Sequence, residues 1–197
     1  GALLLDHDRR PDANPWGAPY AVAHRADLVS ALVDAVRALD PAAVWTDARV
    51  ARIDATPDAV AVETSGGDRV EGSALVGADG ARSQVRDALF GDAAPTFAGH
   101  VAWRALVPGT VVTGDDLPPR QSLAWAGPRA TFVAYRLRGG ACVNLVGLSR
   151  STTWRAEGWC EAAPVAEPRR IFAAFPAPVA RMLAAVEGDT IASWGVF

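Results

Sequence analysis

The chain has no lysine: all 19 of its basic residues are arginine. Alanine is very frequent, and both biases read as the codon usage of a GC-rich genome rather than as chemistry. With a net charge of −3 there is no basic excess to hold nucleic acid or an acidic membrane surface. Two cysteines, Cys142 and Cys160, are too few for a disulfide framework and suit a reduced, cytoplasmic setting. A single bridge between them stays open as an alternative. His7, His24 and His100 show no His-x-x-x-His spacing and the cysteines no Cys-x-x-Cys, so no metal site is expected. The serines lack a nucleophile-elbow context, which argues against a serine hydrolase. No apolar run approaches the roughly 18 residues of a membrane span. No secretory leader is expected either, because the apolar start Gly1-Ala-Leu-Leu-Leu5 runs straight into Asp6.

What is present is the balance of a globular domain: 197 residues, 50% hydrophobic and 21% charged. Leu3 to Asp6 reads as a strand end and His7 to Gly17 as a loop. Arg25 to Leu39 is the clearest helix, with Leu28, Leu32, Val36 and Leu39 at helical spacing and Pro41 ending it. Val44 to Ala55 and Ala59 to Thr64 alternate as strands. Ser65-Gly-Gly-Asp68 is a hairpin turn, and Arg69 to Glu71 begins the return strand. After a linker at 91–96, Gly99 to Val107, Gln121 to Ala126, Ala130 to Arg138 and Ala141 to Ser149 predict a strand-rich half. Ser151 to Glu161 reads as irregular. Glu167 to Phe175 and Val179 to Val186 predict two helices, and a final strand follows from Ile191. The order predicts an α/β (α+β) chain: a β-meander in one part, and an antiparallel sheet covered by helices in the other.

The most specific stretch is Ala74-Leu-Val-Gly77-Ala-Asp79-Gly80-Ala-Arg82-Ser83-Gln-Val-Arg86. It predicts a buried strand through Leu75 and Val76, a tight Asp-Gly turn, and a short helix to about Leu89. Such a junction suits a polar ligand. Gly-Ala-Asp-Gly-x-x-Ser-x-x-Arg resembles the second fingerprint of the FAD-dependent aromatic hydroxylases, the group A flavoprotein monooxygenases. Other stretches fall in the order of the salicylate-hydroxylase-like branch. His24-Arg25-Ala-Asp27-Leu28 is similar to the family's cofactor-contacting helix start. Phe97-Ala-Gly99-His100-Val-Ala-Trp103-Arg104 is similar to its first long substrate-domain strand. Trp125-Ala-Gly127-Pro128, Tyr135, Asn144, Glu157-Gly-Trp159 and Ser193-Trp194 follow in turn. Neither the Gly-x-Gly-x-x-Gly unit for the ADP half of FAD nor the later Gly-Asp motif occurs. The chain is therefore expected to be an internal piece of such an enzyme, with no complete FAD site and no activity alone.

The resemblance implies a p-hydroxybenzoate-hydroxylase-like fold. It implies a crossover strand at 1–19, a partial FAD-binding domain at 20–92 and a substrate domain at 93–197. It also implies FAD as cofactor, NAD(P)H as co-substrate and a small aromatic substrate. In that chemistry NAD(P)H reduces the flavin, oxygen adds at its C4a atom, and the hydroperoxide hydroxylates the ring. Arg25, Asp79 and Gly80 are the cofactor-binding candidates. Arg25 offers a forked donor to phosphate or ribityl oxygens, or is a solvated residue at a helix start. Asp79 borders the pyrophosphate, or caps the following helix as an Asx turn; both can hold together. Arg82 and Arg86 read as surface or ion-pair residues, although Arg86 fits the fingerprint.

The catalytic base is not identified. His100 and Arg104 are the candidates, on one face of a strand, Arg104 to hold an anionic substrate or to form a salt bridge. Trp103 faces the other way. Trp103, Trp125 and Tyr135, with Phe132, are candidate pocket residues or core. An apolar face left by the partial cofactor domain would make a homo-oligomer a natural expectation. The alternatives are a same-fold flavin reductase, epoxidase or halogenase, and a non-catalytic ligand-binding or interaction domain.

Overall fold

The structure, a computed structural model, describes residues 2–6, 17–91, 94–154 and 160–197. His7 and Glu157-Gly-Trp159 lie outside them. The chain forms two compact units, residues 29–96 with Phe197, and residues 1–28 with 97–196.

The smaller unit carries most of helix α1 (Arg25–Leu39), whose limits are those the sequence predicts. Its first four residues belong to the other unit. A meander follows: β1 (Val50–Ala55), β2 (Val60–Thr64) and β3 (Arg69–Gly72), paired antiparallel in that order. The Gly-Gly turn closes the second hairpin, with Gly67 N–H donating to Thr64 O at 3.0 Å. Strand β1 starts six residues later than expected, because 44–49 is irregular, with a bend at 46–47 where Asp47 adopts a left-handed φ of 57°. Residues 74–78, predicted as a buried strand, form no strand. They pair with no described strand, and Val76 is 87% exposed. Residues 2–6, predicted as a strand end, are irregular and exposed. Helix α2 (Gln84–Phe90) ends the unit's regular structure.

The larger unit is a six-stranded antiparallel sheet. Its strands are β4 (His100–Pro108), β5 (Ser122–Ala126), β6 (Ala130–Leu137), β7 (Cys142–Arg150), β8 (Glu161–Pro164) and β9 (Thr190–Val196), in the order β5-β6-β7-β4-β9-β8. Edge strand β8 was not expected; it has only four residues and ends in Pro164, too short to show alternation. Helices α3 (Ala166–Ile171) and α4 (Ala177–Ala184), with the residues that flank them, supply the buried side chains that meet one face. There Trp103, Phe132, Val143 and Leu145 of the strands pack with Phe172, Val179, Met182 and Leu183. Phe172 is the hub: its ring meets Phe132 edge-on at 5.3 Å and Phe175 at 5.1 Å. Gly147 makes room for it, since a Cβ there would lie 2.7 Å from the Phe172 ring.

Two arginines fasten the loop between β4 and β5. Arg136 donates to the carbonyl oxygens of Val112 at 2.7 Å and of Gly109 and Leu117 at 3.2 Å. These bonds satisfy carbonyls that strand pairing leaves free. Arg181 on α4 forks onto Asp116, a carboxylate only 5% exposed. The guanidinium holds the Asp116 carboxyl below the usual carboxylate range, against the opposing effect of burial.

Candidate functional site

The fingerprint loop is organised around Asp79. One carboxylate oxygen accepts from Ser83 Oγ at 2.5 Å, and the other from the N–H groups of Gln84 at 2.7 Å and Val85 at 3.3 Å. Ser83 is the N-cap of α2 and accepts from Arg86 N–H at 3.0 Å. Arg86 returns to Ala81 O at 2.8 Å and pairs with Asp87. Gly80 takes a φ of 80°, which an L side chain rarely adopts, and Gly77 lets Val85 pack against the backbone. The Ser83 hydroxyl and the two N–H donors lower the Asp79 pKa. Within this chain Asp79 is therefore a loop-ordering anion. It occupies the N–H groups of Gln84 and Val85 at the start of α2.

Arg25 stands at the first position of α1, exposed, and no ion pair or hydrogen bond engages its guanidinium among the described residues. Two residues on, Asp27 accepts a bidentate fork from Arg138 at 2.8 and 2.7 Å. That fork lowers the Asp27 pKa. His24 Nδ1 is buried without a hydrogen bond, 4.0 Å from the same carboxylate.

The sheet face away from the helices carries the other candidates. Register places His100, Ala102 and Arg104 of β4 beside Arg150, Leu148 and Val146 of β7, and beside Val196, Trp194 and Ala192 of β9. Tyr135 pairs with Asn144, which in turn pairs with Leu106. The Arg104 guanidinium lies 4.6 Å from the Trp194 ring centroid, a cation–π contact, and no carboxylate among the described residues pairs with it. The Nδ1–H of His100 donates to Ala98 O at 3.0 Å, which leaves Nε2 without its proton in the neutral ring. His100 and Arg104 share a face but stand four residues, about 13 Å of backbone, apart.

Of the two readings open for the aromatic residues, pocket or core, the structure places Trp103, Phe132 and Trp125 in or against the core. Trp103 is 4% exposed on the helix-covered face, with its indole N–H on Ser149 Oγ at 2.9 Å. Trp125 joins Phe132 on that same face at 6.1 Å. Tyr135, three residues from Phe132 on one strand, points the other way. Two small clefts lie in the smaller unit. One of about 210 Å³ is lined by Arg52, Gln84 and Asp87, another of about 160 Å³ by Leu75, Val85 and Leu89. Both cysteines are free. Among the described residues no cluster could hold a metal ion, and no helix is long and apolar enough to cross a membrane.

Sequence reasoning missed Asp27–Arg138 and Asp116–Arg181, whose partners are 111 and 65 residues apart. Nothing local pairs them. The fit to FAD divides the candidates. Arg25 is an uncommitted fork of the kind that holds phosphate oxygens, whereas Asp79 fits as the residue that shapes its loop rather than as a ligand.

A mixed α/β chain with this antiparallel sheet and meander has the fold of the FAD-dependent hydroxylases. In sequence, the chain is homologous to flavoprotein aromatic hydroxylases over a part of their length. It is 39% identical over 136 residues to 3-hydroxybenzoate 6-hydroxylase 1 of Aquipseudomonas alcaligenes, covering 69% of this chain and 34% of that protein. It is 32% identical over 181 residues to 3-amino-4-hydroxybenzoate 2-monooxygenase PtmB3 of Streptomyces platensis, covering 90% and 43%. The fold likeness extends to a salicylate hydroxylase substrate complex, with TM-score 0.69, 19% identity, and 88% of this chain matched to 45% of that one. Klebsiella pneumoniae HpxO complexed with FAD and uric acid gives TM-score 0.71 at 23% identity, with 87% and 42% covered. The chain thus spans less than half the length of these relatives. No family model matches it.

Proposed function

We propose that this chain is part of a cytoplasmic, FAD-dependent monooxygenase that uses NAD(P)H and oxygen to hydroxylate a small aromatic ring. The observation that carries the reading is the 39% identity to a 3-hydroxybenzoate 6-hydroxylase over two thirds of the chain. The hydroxylase fingerprint, present here as an ordered loop, supports it.

In this reading residues 20–92 contribute to the FAD domain and residues 93–197 to the substrate domain. Arg25 donates its fork to phosphate or ribityl oxygens of FAD. Asp79 and Gly80 hold the fingerprint backbone in shape. FAD, when bound, supplies the redox and oxygen-transfer chemistry. The open sheet face receives the substrate. Arg104, steadied on Trp194 and free of carboxylates, attracts the anionic group of a ring acid. His100 Nε2 accepts a proton from a substrate hydroxyl. The apolar neighbours on that face, Val146, Ala102 and Ala192, limit water around the ring. Trp103 and Trp125 act from behind, as core that keeps the sheet rigid. Self-association into a homo-oligomer fits the apolar stripe on α1.

The test is product formation by the full-length protein given FAD, NADH or NADPH, and a panel of hydroxylated and aminated benzoates. A ring hydroxylated in step with NAD(P)H consumption is the expected outcome. NAD(P)H oxidation that ends wholly in hydrogen peroxide across the panel would instead make the protein a flavin reductase or oxidase. Failure to retain FAD would favour a binding module. Within a hydroxylating enzyme, Arg104→Gln should raise KM for carboxylate substrates by about tenfold or more while sparing their amides.

A further inference from the structure

We infer that Asp27 and Arg138 form a positioning latch that fixes the first turn of α1, and through it the cofactor-facing guanidinium of Arg25. This inference rests on the proposed role of Arg25 and goes beyond it, because neither latch residue is a cofactor candidate.

Four observations converge. First, the contact is a forked one, with both carboxylate oxygens of Asp27 engaged at 2.7 and 2.8 Å, and it joins residues 111 apart in the chain. A two-point contact restricts rotation as well as distance. Second, Arg138 holds a left-handed φ of 51°. A long side chain rarely adopts this conformation, and glycine or asparagine would take it more easily. Two glycines follow at once, with φ of 65° and 101°, so the turn has such residues to hand yet places an arginine first. Strain of this kind persists only where the surroundings over-determine it.

Third, the turn is braced from below. Gly109 N–H donates to Ala141 O at 2.8 Å, and a Cβ at Gly109 would fall within bonding distance of Gly140 O, 1.8 Å. Only a glycine lets these two backbones meet. The base from which Arg138 reaches is therefore fixed. Fourth, the other end of the latch lies in the first helical turn, where Arg25, Asp27 and His24 stand together. His24 Nδ1 is buried beside the Asp27 carboxylate and has no hydrogen bond of its own. A helix end otherwise frays, because its first N–H groups lack intrahelical partners. Here the negative charge of Asp27 also suits the helix N-terminus. The same carboxylate thus favours the turn electrostatically and ties it to the sheet. Arg25 carries none of these restraints itself, which leaves its fork free for a ligand.

The test uses the full-length protein and two readouts. Amide hydrogen exchange over residues 25–30, without added FAD, reads the latch directly. FAD affinity, by flavin fluorescence titration, reads its consequence. Arg138→Gln should speed exchange and weaken FAD each by about threefold to fivefold, the scale of a well-formed exposed ion pair. Arg138→Gly removes the guanidinium while relieving the turn, so it should keep its melting temperature and still lose affinity. Arg138→Lys, with charge but no fork, should fall between wild type and glutamine. Unchanged exchange in Arg138→Gln overturns the latch. Faster exchange with unchanged FAD affinity overturns the positioning role. Wild-type FAD affinity in Arg25→Gln overturns the reading of Arg25 on which the inference rests.

Discussion

Helix α1 and the six-stranded sheet are built from the same apolar alphabet and end in opposite states. The helix has a regular stripe of Leu28, Val29, Leu32 and Val36, yet none of its 15 residues is buried. The sheet strands alternate just as regularly, and their inward residues Phe132, Val143 and Leu145 are each at most 1% exposed. Periodicity therefore states which face is apolar, not whether anything covers it. Burial comes from a partner, and the sheet has one in its own chain: the side chains of α4 and of the residues around α3, with Phe172 at the centre. Stability should follow burial rather than pattern, and substitutions in the two regions can separate the two.

The largest effect is expected at Phe172. Its ring is 1% exposed and touches both Phe132 and Phe175. Phe172→Ala removes the hub and leaves a cavity that Gly147 cannot fill, so it should cost about 3–5 kcal/mol in denaturant unfolding. A cost below about 1 kcal/mol would mean that the helices are not what stabilises the sheet.

A smaller effect, with a pH signature, is expected at the loop clamp. Asp116 is buried and paired to Arg181, whose side chain is half exposed, so solvent screens part of the interaction. Asp116→Asn should destabilise by about 1–2 kcal/mol at neutral pH. The folded-state pKa of Asp116 lies below its ordinary value of 3.8. The pair therefore contributes fully above that value and is lost as pH falls through the lower, folded-state pKa. The wild-type advantage should be flat from pH 5 to 8 and shrink below about pH 4. An advantage that grows on acidification would reverse the assigned sign.

Much of this architecture is legible in residues taken one stretch at a time. The Gly-Gly hairpin, the limits of α1 and the alternation of β4, β6 and β7 all follow from local chemistry. Where reading failed, the missing quantity was tertiary. The run around Leu75 and Val76 has the composition of a buried strand, but composition cannot supply a neighbour for it to pair with. The aromatic residues, open in sequence between pocket and core, are divided by strand parity. Phe132 and Tyr135 are three residues apart on one strand, so parity already separates their faces. Phe132 turns to the core and Tyr135 to the open face. Asp79 shows the reverse case, in which both readings of one residue are compatible. Its capping bonds are in the structure, and they shape the loop that the family resemblance assigns to the cofactor. The Asp27–Arg138 and Asp116–Arg181 pairs join distant parts of the chain, and no spacing rule reaches that far.

The smallest expected effect is the sharpest test of the comparison. Leu32 occupies the middle of the α1 stripe and is 58% exposed. Were amphipathic pattern itself stabilising, Leu32→Gln would cost what a core leucine costs, about 2–5 kcal/mol for truncation to alanine. Little is buried here, and glutamine has nearly the helix propensity of leucine. In this 197-residue chain the substitution should therefore change stability by no more than about 0.5 kcal/mol. It should also reduce any self-association that the stripe promotes, since it places a polar group in the middle of an exposed apolar face. Sedimentation velocity alongside the unfolding curve separates the two effects. Unchanged stability with reduced association means that the stripe contacts other molecules and not this chain's own core. A loss above about 1 kcal/mol that does not vary with protein concentration would show α1 covered in solution by its own chain, and the contrast between helix and sheet would not survive it.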